Sequence, residues 1–479
     1  MIFFIKLLIV YQKTKPEYAK VWGVMDSKNV PRLLIIAPDV VGKKMAGPGI
    51  RYVEIAQALA PYMPVAFATG IEGSTSRPID ARVRVNKYLH VDELKALIDG
   101  CDVVFCQMTD RNAISYALSK GKRIIYDFYN VLPVETIGAE RISGYTKEAD
   151  KDREFIELLS YFEFCSRTGS YFVCSNPRQR DYWLGFIMAS RGILPSTLEA
   201  RSLDQIIDFA PFGMSTKDPI QREHPLRDNK NIFDSDFLLI WAGGIWDWFD
   251  ANTPIKAVAE LCTDHPDIKL VFYGTSHPNK KVGTPKNVKR AKELASELGV
   301  LDRQVFFQSG WVDFDDRANY LLEADVAISS HVESLETSYA FRTRILDHFW
   351  AKLPSIVTTG DWFADYIEER GLGLVTNTED VESTKHAILK LYKNKQRTDQ
   401  IENNINKIRA DWTWTQTTEK LRDYLLNKVM YSPVIAAPTD SFLPRQTITG
   451  SIKRSRGVNY LRKTKVWPHI KKAKSRLSK

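Results

Sequence analysis

Short apolar runs alternate with longer amphipathic stretches along most of the chain. RLLIIAP (32–38), PVAFAT, DVVFCQ, KRIIYDF and YFVCS have the length and β-branched content of buried strands. Between them lie helical patterns such as RYVEIAQALA and NPRQRDYWLGFIMA. After DFAPFGM (208–214) comes a polar, charged stretch, STKDPIQREHPLRDNKN, which reads as a linker. The rhythm then restarts: DFLLIWAGG, IKLVFYG, QVFFQSG, DVAISS and PSIVTT are strand runs, separated by PIKAVAELC, KRAKELASEL, RANYLLEA and RILDHFWA as helices. A repeated βα alternation predicts parallel sheets covered by helices on both faces. Two doubly wound, Rossmann-like domains of the α/β class follow, facing a central cleft. Ligands in such sheets sit outside the carboxyl ends of the strands.

The expected boundaries are an N-terminal extension (1–30), a first domain (31–215), a second domain with terminal helices (216–432) and a basic tail (433–479). A length of 479 residues with 44% hydrophobic and 26% charged residues excludes disordered and fibrous classes. The net charge of +9 invites a nucleic-acid or membrane reading, but its distribution changes that. Residues 441–479 hold 12 Lys and Arg and no acid, leaving 55 bases against 58 acids, a net of −3, on residues 1–440. The tail suits an anionic membrane surface or a solvated terminus. No recognition motif accompanies it, so no nucleic-acid partner is expected. MIFFIKLLIV is too short to span a bilayer and reads either as an interfacial anchor or as an over-long start upstream of Met25. The expected location is cytoplasmic, either free or peripheral on the inner face of the cytoplasmic membrane. The five cysteines form no C-x-x-C pair and are expected as buried free thiols.

The segment HVESLETSYAFRTRILDHFWAKLP (331–354) carries the densest chemistry. It follows the DVAISS strand and enters a helix expected to begin at Phe341. A helix start presents unpaired N–H groups to a phosphate. Arg342 and Arg344 add two permanent charges, Asp347 can accept from a sugar hydroxyl, and Glu336 sits in a loop before the helix. The same residues also fit a surface helix with an ordinary Arg–Asp i,i+3 pair. Gly243 and Gly244 allow close backbone approach after a strand, or simply turn the chain. Trp246 and Asp247 share that turn, and Trp311 follows another strand. In the first half, Gly47 and Gly49 precede a helix that opens with Arg51 and contains Glu54. Asp127 ends a strand beside Tyr129 and Asn130, as a candidate base or a turn cap. The histidines form no metal-like cluster and no D-x-D precedes a strand, so a metal-independent site without a cofactor is expected.

These segments resemble the retaining glycosyltransferases of family 4, which have the GT-B fold. The resemblance runs over residues 32–425 and rests on KKMAGPGIRYVEIAQALA, YDFYN, CSNPRQRDYWLG, GGIWDWFDANTPIKAVAEL, GWVDFDDRANYLLEADVAIS and the acid-rich 331–354 segment, which is similar to the E-x7-E region. It implies a nucleotide-diphosphate sugar as co-substrate and a glycan or lipid-linked acceptor, in cell-envelope polysaccharide synthesis. Glu336 would orient the donor sugar, Asp347 bind the ribose, Trp311 lie at the base and Asp247 line the sugar pocket, with Gly47, Gly49 and Arg51 near the phosphates and acceptor. The pattern departs from the family at three points. Asp347 stands where Glu is usual, Tyr339 stands eight residues before it, and the nearest acid gives E-x10-D. No Arg or Lys follows the first strand of the second domain, so Arg342 and Arg344 become the candidates to neutralise a diphosphate. A nucleotide-sugar epimerase or hydrolase on the same fold and a non-catalytic glycan-binding or scaffold protein are the other readings.

Overall fold

A computed structural model of the chain describes residues 30–42, 45–75, 78–80, 82–137, 147–246, 248–275, 285–308, 310 and 312–427. The basic tail, almost all of the N-terminal extension, Asp247 and Trp311 lie outside them.

The first sheet contains β1 (Leu33–Ile36), β2 (Val65–Thr69), β3 (Pro78–Asp80), β4 (Val83–Lys87), β5 (Val103–Cys106), β6 (Arg123–Asp127), β7 (Tyr171–Cys174) and β8 (Ile207–Phe209). Their order across the sheet is β3-β4-β2-β1-β5-β6-β7-β8, and only the β3–β4 edge pair is antiparallel. The second sheet contains β9 (Phe237–Ala242), β10 (Ile268–Tyr273), β11 (Val305–Phe307), β12 (Val326–Ser329), β13 (Ser355–Thr358) and β14 (Gly373–Thr376), ordered β11-β10-β9-β12-β13-β14 and parallel throughout. All five strand runs expected in each half are present.

The central strands are apolar on both faces, as parallel strands covered by helices must be. Leu34, Ile36, Val104 and Ile124 pack on one side of the first sheet, and Leu33, Ile35, Val103 and Phe105 on the other. The second of these cores runs on through Phe212, Met214 and Trp414 into the second domain. Strand order reverses between β1 and β5 in the first sheet and between β9 and β12 in the second. Those are the switch points where ligands collect in this architecture.

The expected domain division needs one correction. The helix Glu419–Leu426 packs on β8 of the first domain, not on the second. Tyr424 stacks on Tyr171 with ring centres 3.8 Å apart, and Lys420 Nζ meets Asp208 Oδ1 at 2.7 Å. The chain therefore crosses between domains twice, and the two crossings touch. Met214 N–H donates to Trp412 O at 2.7 Å, and Trp414 N–H donates to Met214 O at 3.1 Å. Gly213 is required there, since a Cβ would lie 2.6 Å from the Trp414 backbone.

The cysteines are free, as expected, and four of the five are buried. Burial pushes the Cys101 thiol up to about 12, which leaves it unreactive at neutral pH.

Candidate functional site

At the carboxyl ends of β9 and β10 the chain turns through Gly243 and Gly274, with φ of 105° and 81°. Both lie in the left-handed region that glycine tolerates best. The turns touch: a Cβ on Gly274 would lie 3.0 Å from the Gly243 carbonyl carbon. Beside them is a small cavity of about 90 Å3, bordered by Gly243, Gly274, Val312 and Asp347 of the second domain and by Met45 and Ile50 of the first. Met45 and Ile50 flank the start of the helix Gly47–Leu59. Ala46 gives that helix no side-chain cap, so its first N–H groups lack the usual acceptor.

Arg344 lies on the second-domain side, at the start of the helix Arg344–Trp350 that follows β12. The residue is 9% exposed, and its guanidinium lies within 4.0 Å of the Phe249 ring centre and 4.8 Å of that of Trp241. One nitrogen donates to Gly244 O at 2.7 Å, while Nη1 is buried without a hydrogen-bond partner. No carboxylate pairs with Arg344 among the described residues. Burial, reinforced by the charge of Arg342, lowers it to about 9. A buried cation without a counter-charge is costly unless an anion arrives.

Arg342 has a different environment. It grips Glu336 with two hydrogen bonds of 2.9 and 2.8 Å. Its Nε also lies 3.6 Å from Asp361 Oδ2, which is 3.3 Å from His331 Nε2. Burial works to raise Asp361, but the hydrogen bond and charge of His331, with the charge of Arg342, hold it below the usual range. Two expectations change here. Glu336 belongs to a short helix, Leu335–Tyr339, capped by Ser334, and not to a free loop. Arg342 is neutralised by acids of its own chain, while Arg344 has no paired carboxylate among the described residues. The following helix begins at Arg344, three residues later than expected, because Ala340 is extended and turns the chain first. Asp347 does face the small cavity, with Oδ1 held by Arg317 Nε at 3.0 Å.

In the first domain, the roles expected of Arg51 and Asp127 fall to the geometry. Both side chains are fully buried and bind each other through two hydrogen bonds of 2.7 Å. A third bond of 2.7 Å joins Arg51 to Ala210 O, and the guanidinium lies over Tyr129 and Phe212. Asp127 therefore cannot approach an acceptor as a base, and Arg51 cannot reach a phosphate. Gly49 is a packing requirement, since a Cβ would sit 2.3 Å from Val40 O. Gly47 remains at the uncapped helix start.

The sequence reading missed several residues that the fold gathers here. Glu135, on the helix Leu132–Ile137, accepts from Asn130 Nδ2 at 2.8 Å. Arg178 crosses to the second domain and donates to Gly360 O and Asp365 Oδ2, each at 2.6 Å. Gln179 and Asn176 donate to the carbonyls of Tyr339 and Ala340. This clasp holds the segment between Glu336 and Arg342 against the first domain. Its only sequence signal was the CSNPRQRDYWLG motif as a whole. Among the described residues, no three His, Cys, Asp or Glu side chains are grouped to hold a metal. None of the described helices is long and apolar enough to cross a membrane.

A larger cavity of about 770 Å3 opens beside the two interdomain crossings, lined in part by Glu54, Lys217, Asp315, Arg317 and Trp414. Burial, with the Asp315 charge adding and Arg317 opposing, raises Glu54 to about 7. Its native state therefore holds a proton that the unfolded chain releases near 4.5, and stability should fall as pH rises between those values. The melting temperature of Glu54→Gln should exceed that of wild type at pH 8 and match it at pH 4. Equal melting temperatures at pH 8 would contradict the raised value.

Residues 225–408 match the family model described as glycosyl transferases group 1. This supports a glycosyltransferase. Among solved structures, HepE from Anabaena in complex with UDP and glucose is similar over 82% of this chain and 99% of its own, with a TM-score of 0.59 and 11% identity. WaaG, a glycosyltransferase involved in lipopolysaccharide biosynthesis, matches over 82% and 100%, at 0.55 and 15%. Sucrose-phosphate synthase from Thermosynechococcus elongatus matches over 82% and 98%, at 0.57 and 15%. At such identities the likeness establishes the fold, which is GT-B. No curated protein sequence matches the chain significantly.

Proposed function

We propose that the protein moves a sugar from a nucleoside-diphosphate sugar to a hydroxyl of a glycan or lipid-linked acceptor, with retention, in polysaccharide synthesis at the cell envelope. The observation that carries this reading is Arg344: a buried guanidinium without a paired carboxylate among the described residues, beside the glycine turns that end β9 and β10. A diphosphate supplies the missing charge. As the sugar–oxygen bond breaks, negative charge grows on that leaving group, and a fixed cation in a water-poor cleft stabilises it. The uncapped start of the helix Gly47–Leu59 offers N–H groups from the other domain. In this reading Asp347, steadied by Arg317, accepts from the ribose. In this reading Glu336, held in orientation by Arg342, accepts from the donor sugar. UDP in the HepE complex agrees in kind. The basic tail would bring the enzyme to an anionic membrane where lipid-linked acceptors reside.

The test is a melting-temperature panel with UDP, GDP, ADP and their sugars. A nucleotide present at a hundred times its Kd contributes about 2.7 kcal/mol and should raise the transition by several degrees. If every member of the panel leaves the transition unmoved, the reading is overturned.

A further inference from the structure

The helix that carries Glu336, Leu335–Tyr339, is five residues long. So short a helix is marginal by itself, and its last carbonyls have no partner within it. Ser334 caps its start by accepting from Thr337 N–H. Its end is capped from the other domain. Asn176 Nδ2 donates to Ala340 O at 3.2 Å, Gln179 Nε2 to Tyr339 O at 2.9 Å and Arg178 Nη1 to Ser338 O at 3.3 Å. Three successive carbonyls are thus received by three side chains at the start of the helix Pro177–Ala189.

These donors are aimed by their own helix. Asn176 Oδ1 accepts from Gln179 N–H, and Gln179 Oε1 accepts from Ser175 N–H, each at 2.9 Å. With the amide oxygens engaged at home, the amide nitrogens face the second domain. Tyr182, three residues further along, packs edge-on against Tyr339 with ring centres 5.3 Å apart. Arg178 also reaches a second support of the same acid. It donates through Nη1 to Gly360 O and through Nη2 to Asp365 Oδ2, each at 2.6 Å. Gly360 precedes Asp361, which lies beside Arg342, and Arg342 holds both oxygens of Glu336. The clasp therefore lands on the two segments that orient Glu336. It touches none of the residues that border the small cavity at Gly243 and Asp347.

We propose that Asn176, Arg178 and Gln179 are positioning residues that complete the sugar half of the donor site from the first domain, while the nucleotide half needs none of them. The inference rests on the transferase reading above, in which Glu336 accepts from the donor sugar. It adds a coupling between domain contact and sugar orientation. A nucleotide is held without the clasp, but the sugar keeps its reacting orientation only when the clasp is made. A misplacement of about 1 Å at a reacting centre costs about 10²-fold in rate.

The test uses Arg178→Ala and Arg178→Lys in the full-length enzyme. The side chains of Arg178 and Asp365 are 34% and 51% exposed, so their ion pair adds little to stability and both variants should melt close to wild type. The donor is the sugar form of whichever of UDP, GDP and ADP raises the melting temperature, and the acceptors are a panel of octyl glycosides. Arg178→Ala should lower kcat by about 10²-fold. It should keep the melting shift given by the bare nucleotide, while the shift given by the nucleotide sugar falls relative to it. Arg178→Lys keeps a charge for Asp365 without the fork that spans Gly360 O and Ser338 O, so it should fall between alanine and wild type. A merely structural Arg178 would lower the melting temperature without separating sugar from nucleotide. Undiminished kcat in Arg178→Ala, or an equal loss of the two ligand-induced shifts, overturns the assignment alone. A wild type that binds nucleotide but transfers to no acceptor overturns the transferase reading, and this assignment with it.

Discussion

Replacing Arg344 by alanine is expected to lower kcat/KM for the donor by about 10² to 10³-fold, the usual effect of removing one preorganised stabiliser of developing charge. The same variant should lose most of the nucleotide-induced rise in melting temperature while remaining folded. Among the described residues Arg344 has no acid hydrogen-bonded to it, so its loss strands no paired carboxylate and takes a buried charge out of the interior. Arg344→Lys should fall between alanine and wild type, since a lysine keeps the charge without the planar fork. Arg342→Ala provides the contrast. It leaves Glu336 without its bidentate partner and removes a cation near Asp361, so it should damage stability as well as rate. Full activity in Arg344→Ala would mean that the diphosphate binds elsewhere.

Asp127→Ala is expected to be the most destabilising single change in the first domain. It leaves the Arg51 guanidinium fully buried and charged, with only Ala210 O as a hydrogen-bond acceptor. Breaking a buried pair in this way costs about 3–5 kcal/mol, a large share of the 5–15 kcal/mol typical of a folded protein. Urea unfolding would read the loss as a lower midpoint. Replacing both partners by apolar residues of similar size, as in Arg51→Met with Asp127→Leu, should recover much of it. If Asp127→Ala unfolds at the wild-type midpoint and loses only activity, the pair is chemical machinery and not framework.

The two cases show what the sequence made legible. Strand runs such as DVVFC and KRIIYD announce themselves because a parallel strand buried on both faces must be apolar along its whole length. The E-x10-D segment was legible as chemistry because Glu336, Arg342, Arg344 and Asp347 fall within a dozen residues. Their division of labour was not, because it depends on Asp361 and His331, brought beside Arg342 from neighbouring turns. Arg51 and Asp127 are 76 positions apart, and each alone looked like a ligand-facing residue. Arg178 and Arg317 sit in amphipathic stretches where a base is unremarkable, and only the approach of the two domains gives them a role. The strands β3 and β8, three residues each with an acid among them, did not register as patterns, whereas the equally short but wholly apolar β11 did.

The return of the helix Glu419–Leu426 to the first domain has a consequence for how the protein is made. The first sheet's last two strands, β7 and β8, carry Tyr171 and Asp208, which await Tyr424 and Lys420 from more than two hundred residues further along the chain. The first domain can thus collapse early yet remain unfinished at one edge until the second has been synthesised. A nascent chain halted anywhere in the second domain carries that open edge, and the helix Glu419–Leu426 closes it.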